Sequence, residues 1–451
     1  MSIRNYHGPE NGRQRHFRQL SIIFPVILLL AVPAVVSAGS ELSLAAAEQL
    51  ALESDPQISA AHARARAAEE SAVAVSQLQD PRLSMGLFNL PLDDLDIDRE
   101  STTQLRFGLH QQLARGDTLS LKQQQRTWQS DAYNARADHR ARGTLKDLRL
   151  AWLDIFYQAK AGRIIEENRE LFQQLLDVTE DQYAAGRANQ QDVFRAQLEL
   201  GLLDERHAAM NRDEQVSRGR LSYWLDEIAL RPLPDALPEL PQPADPAIIA
   251  DRIHLHPAVR EQTALMQASE QDVLIARERY RPQWTVGAEY RKRFGDDPMG
   301  GDRSDMLALV ASVDLPFFKK NRQDRIVRAA TEQASAAELG RTDRIMQLHA
   351  MLNGATSDRD GLQSQLDLFM NRLLPDAAAN SEAALRAYQS SVGDFSALIR
   401  AYSTELDLRL QLLRLQVDLT RTNARILYLD PDREIQPGQH ISTTGARGAS
   451  S

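Results

Sequence analysis

An internal duplication limits what this chain can fold into more than any other feature. The segment QYAAGRANQQDVFRAQ at 182–197 returns as AYQSSVGDFSALIRAY at 387–402. Further landmarks recur at offsets of 201 to 205 positions: Asp55-Pro56 with His256-Pro257, Gln111 with Leu315, and Tyr183 with Tyr388. An ordered series at a nearly constant offset indicates two copies of one structural unit. We therefore expect two similar halves of about 200 residues each.

The prolines divide the chain and delimit its helices. Six of them fall in RPLPDALPELPQPADP at 231–246, which predicts an extended linker between a first repeat at 39–230 and a second at 247–431. None lies between Pro91 and Pro232, and apolar residues in that window recur at spacings of three and four. This pattern predicts long antiparallel coiled-coil helices. We expect them over 112–186 and 316–391, each roughly 110 Å long, with a kink at Pro375.

Each half also contains two short segments in which apolar and polar residues alternate. They predict strands near 82–90, 103–112, 283–292 and 305–315. A half-buried hairpin of a soluble protein has this pattern, and so does a membrane barrel strand that faces lipid on one side. Polar, acidic loops connect the paired strands and a very long helical segment follows each pair, which favours the membrane alternative. Four strands cannot close a barrel in lipid, so we expect several chains to combine their strands.

The N-terminus predicts export from the cytoplasm. Arginines precede an apolar run that ends in small residues, which predicts a signal peptide at 1–38 cleaved after Ala38. An uncleaved anchor helix is the alternative, and Pro25 and Pro33 disfavour it. The chain has no cysteine, so we expect neither an acylated N-terminus nor thiolate chemistry. We expect the tail at 432–451 to be disordered.

Composition and motifs argue against several functional classes. The formal net charge of -9 argues against a nucleic-acid partner. No nucleophile elbow, phosphate-binding glycine loop or zinc-protease motif is present, so we expect no enzyme, no catalytic residue and no cofactor. His254 and His256 lack the spacing of a zinc motif, and we interpret them as structural or incidental. The acidic run at 93–98 lacks the glycine and terminal glutamate of a calcium loop, so we expect a solvated loop and no metal site.

The duplicated halves, the paired strands, the strand-to-helix corners QQLARG and LPFFKKNRQ and the repeated turn resemble the TolC family of outer-membrane efflux channels. The resemblance runs from Leu42 to about Asp430. It implies a mainly α fold with a small transmembrane β-barrel contribution. Each protomer of a homotrimer would give four strands to a twelve-stranded barrel in outer-membrane lipid and long helices to a periplasmic tunnel.

The same resemblance implies a passive outer-membrane channel of a tripartite efflux system. Its partners would be a periplasmic adaptor (membrane fusion) protein and an inner-membrane pump of the resistance-nodulation-division (RND) class. The corner LPFFKKNRQDRI is most similar to the heavy-metal branch, of the cobalt-zinc-cadmium type, so metal cations or small toxic compounds are the expected cargo. Two alternatives remain: the outer-membrane conduit of a type I protein secretion system, and a periplasmic coiled-coil adaptor that forms no channel.

In the TolC fold the two repeated turns, near 186–192 and 391–395, would be the inner end of the tunnel. The resemblance implies that they contact the adaptor and constrict the closed tunnel. The candidate tip residues are Gly186, Arg187, Asn189, Asp192, Val392, Gly393, Asp394 and Phe395. Turn chemistry alone would account for several of them, because glycine suits a helix end and Asn or Asp suits a helix start. Asp394 is also the candidate for an acidic ring at the constriction, which would favour cations.

Overall fold

The computed structural model describes residues 41–390 and 392–432. The expected signal peptide and cleavage site, position 391, and the expected tail apart from Asp432 lie outside these residues. The described chain is mainly helical and contains one four-stranded antiparallel sheet with the strand order β1-β2-β3-β4. This confirms the fold class expected from the sequence.

The two halves follow the same order of elements. The first contains α1 (Leu44–Ser54), α2 (Pro56–Val75), β1 (Arg82–Phe88), β2 (Gln104–Gln112), α3 (Thr118–Ala184) and α4 (Gln190–Leu225). The second contains α5 (Pro246–Arg252), α6 (Pro257–Glu278), β3 (Gln283–Arg293), β4 (Met306–Asp314), α7 (Gln323–Leu368), α8 (Leu374–Gln389) and α9 (Phe395–Leu429). Short 3-10 turns at Asp226–Leu230 and Ile253–Leu255 complete the two series.

The Asp-Pro and His-Pro landmarks are equivalent helix starts. The carboxylate of Asp55 accepts the Gln57 N–H at 2.8 Å, and Nδ1 of His256 accepts the Ala258 N–H at 3.2 Å. The proline that follows each cap is the first residue of its helix, where a missing N–H costs nothing. Two different side chains therefore cap equivalent helices in the two halves.

The long helices are equally long in the two halves but differ in continuity. Helix α3 has 67 residues and is roughly 100 Å long at 1.5 Å per residue. Helices α7 and α8 cover the same length together, with a π turn between them at Phe369–Leu373. The kink at Pro375 stays a prediction; just before the proline the structure has a π turn, a wider turn that accommodates the ring and the missing N–H. Both helical segments begin later than expected, at 118 and 323, because an irregular corner separates each from its strand.

The helices near the sheet form a layer in the same order as the strands. Helix α2 packs on α3, α3 on α6, and α6 on α7, so each helix continues the strand to which the chain connects it. Farther from the sheet, α3 packs on α4 and α8 packs on α9. Three buried clusters hold this arrangement together, centred on Trp152, Phe172 and Leu348.

The proline-rich segment at 231–246 is extended but bound to the helical core. Leu233 is buried in the cluster around Trp152, and the Pro232 carbonyl accepts the Leu42 N–H at 2.8 Å. The segment ends one residue earlier than expected, because Pro246 is already the first residue of α5 and Asp245 caps that helix. The segment therefore fixes the start of the second half against the first.

Candidate functional site: a two-faced sheet and two hairpin tips

The register of the sheet places most of the apolar strand side chains on one face. Leu83 lies opposite Leu109, which lies opposite Ala288, which lies opposite Leu309. The other members of this apolar face follow the same alternation: Met85, Leu87, Leu105, Phe107, Trp284, Val286, Tyr290, Leu307, Ala311 and Val313. The sequence pattern of alternating residues thus becomes a continuous apolar surface four strands wide.

The apolar face is the exposed face of the sheet. Leu309 is 83% exposed, and along β3 every residue of the apolar face is exposed whereas every residue of the opposite face is partly buried. A soluble protein buries its apolar face against a core, so this sheet is inverted relative to that rule. Among the described residues, no helix or loop covers the face.

The opposite face of the sheet is polar and tightly connected. The Glu289 carboxylate pairs with Arg291 at 2.8 Å and lies 3.7 Å from His110, and the Arg106 guanidinium lies 4.2 Å from the centre of the Phe88 ring. The charged groups lie on the two central strands, β2 and β3, and Phe88 lies beside them on β1. On β2 and β3 every side chain of this face is polar, so the face can line an aqueous space.

The first hairpin tip ends α3 with a Schellman motif. The Gly186 N–H donates to the Tyr183 carbonyl at 2.9 Å, and the Arg187 N–H donates to the Gln182 carbonyl at 2.7 Å. Gly186 has φ +73, which an alanine would adopt only with strain, although a methyl group at this position would meet no atom within 4 Å. The glycine is therefore required by the backbone conformation and not by space.

The return helix α4 begins at the cap predicted from the sequence. Asn189 is the N-cap, and its N–H donates to the Asp192 carboxylate at 3.4 Å. Asp192 lies in the first turn, where the positive end of the helix dipole stabilises its negative charge. These two residues thus have a structural role at the tip.

The second hairpin tip uses its glycine differently. The Gly393 N–H donates to the Ala387 carbonyl at 2.8 Å, and a Cβ on Gly393 would lie 2.9 Å from the Ala387 Cβ. Its φ is outside the left-handed region, so the role of Gly393 is to allow the close approach of two backbone segments. Asp394 is the N-cap of α9 through its carbonyl, which accepts the Ala397 N–H, and its side chain makes no capping bond. The Asp394 side chain is exposed.

The two tips are joined to each other. The Tyr388 hydroxyl donates to Oε1 of Gln182 at 2.9 Å, and the Arg195 guanidinium donates to the Ser396 hydroxyl. The Tyr388 ring contacts the Phe395 ring at 5.6 Å between centres, and burial raises the pKa of Tyr388. These contacts connect the end of α3 and the start of α4 to the corresponding parts of α8 and α9.

The candidate tip residues fall into two groups. Arg187, Val392 and Asp394 have exposed side chains, whereas Phe395 is only 3% exposed. Phe395 was expected to contact a partner, but its ring lies in the apolar cluster between the hairpins because the first turn of α9 faces α8. Tyr183 and Tyr388 occupy equivalent positions in the two halves, but Tyr183 is exposed whereas Tyr388 joins the tips. Gln182 and Ser396 are contact residues that sequence reasoning missed.

The two histidines and the acidic run, for which the sequence predicts no metal site, have other contacts in the structure. His256 is fully buried between Ala258 and the Tyr428 carbonyl, and His254 is exposed near the Asp251 carbonyl. In the loop at 89–103, Arg99 pairs with Asp93 at 2.7 Å and with Asp94 at 2.5 Å. Within residues 41–390 and 392–432, no three histidine or carboxylate side chains form a cluster that could hold a metal ion. No helix in those ranges combines the length and apolar character needed to cross a membrane.

Three solved structures share the fold over nearly their whole length. The outer-membrane channel OprN matches with a TM-score of 0.72 and 19% identity, over 86% of this chain and 89% of OprN. CusC, whose structures concern folding and transmembrane channel formation, matches with a TM-score of 0.72 and 16% identity, over 87% of this chain and 92% of CusC. The outer-membrane protein VceC of Vibrio cholerae matches with a TM-score of 0.72 and 15% identity, over 86% of this chain and 96% of VceC.

By sequence alone, no family model and no curated protein matches the chain significantly. The structural matches establish that this chain has the fold of outer-membrane channels. The similarity includes both halves, because the matched share leaves out only a small part of the chain.

Proposed function

We propose that this protein is the outer-membrane channel of a tripartite efflux system, a passive conduit and not an enzyme. In this proposal a homotrimer forms one barrel in the outer membrane and one helical tunnel in the periplasm. An adaptor protein and an RND pump deliver the cargo, which consists of metal cations or small toxic compounds.

The inverted sheet is the observation that carries the proposal. Its exposed face is apolar from β1 to β4, and its outer strands β1 and β4 each have one edge without a neighbouring strand among the described residues. Exposed apolar surface and unpaired strand edges are both costly in water, and unpaired edges are costly in lipid as well. Lipid that covers the apolar face removes the first cost, and further copies of the chain that pair with both edges remove the second. Three copies give the twelve strands that the resemblance implies.

The dimensions of the sheet suit a bilayer. Strands β2 and β4 have 9 residues and β3 has 11, and a strand tilted in a membrane needs about 9–11 residues. In a closed barrel the polar face with Glu289 and Arg291 would line the lumen. The helices leave one end of the sheet and the acidic loops leave the other, which supports a barrel with a tunnel on one side only.

The hairpin tips support a regulated inner end. Arg187, Val392 and Asp394 are exposed and point to a docking surface for an adaptor, while Tyr388 and Arg195 hold the two hairpins together. Threefold symmetry would bring three Asp394 carboxylates near one axis. Like charges held close together attract counter-ions, so such a ring would favour cations.

Conductance across a planar lipid bilayer tests the proposal. We expect discrete, long-lived steps with a reversal potential that indicates cation preference, and we expect Asp394→Asn to reduce that preference. Glu53→Gln provides the matched control, because it removes an exposed carboxylate from α1, far from both the sheet and the tips in the sequence. Folded protein that is monomeric by mass photometry and gives no steps would refute the proposal, since one chain cannot close the barrel.

Two rival functions make different predictions. A coiled-coil adaptor without a channel would have no use for an exposed apolar sheet, and its purified form would give no conductance. A type I secretion conduit would conduct equally well. Co-purification with a proton-driven pump favours efflux, and co-purification with an ATP-driven exporter favours secretion.

A further inference from the structure

We propose that the corner between β4 and α7, residues 315–322, is a membrane-surface anchor that binds anionic phospholipid headgroups at the helical end of the sheet. We call these residues the aromatic-basic corner: Leu315, Pro316, Phe317, Phe318, Lys319, Lys320, Asn321 and Arg322. The inference rests on the proposed function, since it places the sheet in a bilayer.

The corner exposes two large aromatic side chains side by side. Phe317 is 76% exposed and Phe318 is 87% exposed, although both belong to an ordered turn in which the Phe317 N–H donates to the Leu315 carbonyl at 3.0 Å. Exposed phenylalanine is unfavourable in water, and this turn buries neither of the two adjacent rings. A lipid surface would bury both rings at once.

The corner also carries uncompensated positive charge. Lys319, Lys320 and Arg322 are exposed, and within the described part of the chain no carboxylate forms an ion pair with them. The carboxylates that flank the corner already have partners. Asp314 lies 4.0 Å from Arg115, and Asp324 accepts the Tyr280 hydroxyl at 2.5 Å. Three free cations beside two exposed rings match the headgroups and the upper acyl region of an anionic bilayer.

The corner follows the end of the sheet, and its residues are ordered from apolar to basic in the direction that leads out of a membrane. In the sequence, Leu315 and Phe317 continue the alternation of Leu307, Leu309 and Val313 just beyond the end of β4. The cations follow immediately, where the chain turns into α7. Apolar face, aromatic rings and basic side chains thus succeed one another as the interior, the interface and the surface of a membrane do.

The equivalent corner of the first half lacks these features. At an offset of 204 positions, Leu113 and Ala114 stand where the second half has the two phenylalanines, and Leu113 is only 36% exposed. Gly116 there packs so closely that a Cβ would lie 1.9 Å from the Glu278 carboxylate. Since the fold builds a closed corner without exposed aromatic rings, the aromatic-basic corner is an addition to the second half and not a requirement of the turn.

A second copy of the chain is the rival occupant, because β4 is an outer strand of the sheet. The positive charges of the corner favour anionic lipid over a second copy as the occupant. The three free cations need an anionic partner, and a face of another copy would have to supply carboxylates at the same height as the rings. The experiment distinguishes the two occupants directly.

The test uses tryptophan fluorescence of the full-length protein in vesicles that contain brominated lipids. Phe318→Trp places an indole in the corner, and the difference between this variant and the wild type gives the signal of position 318. The difference between the wild type and Trp284→Phe gives the signal of Trp284, on the apolar face. Vesicles contain equal fractions of brominated phosphatidylglycerol or brominated phosphatidylcholine. We expect the indole at position 318 to be quenched at least about twofold more by the anionic lipid, because each basic residue near the surface attracts it. The triple variant Lys319→Gln, Lys320→Gln, Arg322→Gln should abolish that preference, whereas Arg187→Gln at the distant tip should leave it unchanged.

Each remaining outcome has a distinct meaning. Quenching of Trp284 without quenching at position 318 would overturn the anchor and indicate that another copy covers the corner, while the proposed function would stand. Equal quenching at position 318 by both lipids, or a preference that survives the triple variant, would overturn the headgroup specificity. No quenching of Trp284 would refute the membrane location of the sheet and the anchor with it.

Discussion

Protonation of His256 is expected to destabilise the helical core as the pH falls below about 6.5. Burial lowers the pKa of His256 from 6.5 to about 4, and the nearby Arg142, His139 and Arg344 add to this effect. The hydrogen bond to the Tyr428 carbonyl opposes it. Because Nδ1 accepts the Ala258 N–H, the neutral ring carries its proton on Nε2 and donates it to that carbonyl at 3.0 Å. A second proton would have to displace the helix cap.

The magnitude follows from the difference between the two pKa values. A folded pKa of about 4 against an ordinary 6.5 corresponds to roughly 3 kcal/mol, at about 1.4 kcal/mol for each pH unit. The folded value lies below the unfolded one, so this stability is present above about pH 6.5 and is lost as the pH falls towards about 4. At pH 5 the expected loss is roughly 2 kcal/mol.

Two measurements check this prediction. NMR of protein labelled with ¹³C at histidine Cε1 should show that the His256 signal, assigned by its absence in His256→Asp, titrates only at about pH 4 to 5. Urea unfolding at pH 7.5 and pH 5 should show the loss in the wild type and a much smaller loss in His256→Asp, because Asp55 already caps the equivalent helix of the first half. A titration of His256 near pH 6.5, or equal losses in the two proteins, would show that the buried ring does not control this pH range.

Two further pairs of variants test the hairpin tips, each with a matched control from the other half. Gly393→Ala should speed amide hydrogen exchange in 387–398 by about tenfold or more, because overpacking against the backbone costs about 1–3 kcal/mol. Gly186→Ala, whose added methyl group meets open space, should speed exchange in 180–190 by only about fivefold, and equal effects would contradict the different roles of the two glycines. Tyr388→Phe removes the hydroxyl that joins the tips and should lengthen the open times of the proposed channel, since such a bond contributes about 0.5–1.5 kcal/mol. Tyr183→Phe, at an exposed ring, should leave the open times unchanged. Equal open times in the two variants would show that the Tyr388 hydroxyl does not hold the tips closed.

The features that local chemistry controls could be predicted from the sequence. The four strands follow from two-residue alternation, and the starts of α2 and α6 follow from a cap and a proline. The Schellman turn at Gly186 follows from a glycine at a helix end. In each case the determining residues are neighbours in the chain, so their pattern is visible without the fold.

The features that depend on contacts between distant segments could not be predicted. Phe395 is buried because α9 meets α8 and α3 at the tip, and nothing in the turn itself indicates this. The hydrogen bond from Tyr388 to Gln182 joins residues 206 positions apart. The role of Gly393 depends on how closely the chain passes Ala387, and a glycine alone is equally consistent with flexibility.

The distribution of buried residues also implies an order of events during biogenesis. All three apolar clusters are complete within a single chain and consist of helical and linker residues, so the helical part can reach its final packing before any partner is present. Within the described residues the sheet has no such internal support, because its apolar face is exposed and its outer strands each have one edge without a neighbouring strand. If the proposed function holds, a chain that has not yet joined a barrel is a packed helical body with an aggregation-prone end. A factor that shields the four strands until the proposed barrel closes would then raise the yield of functional protein.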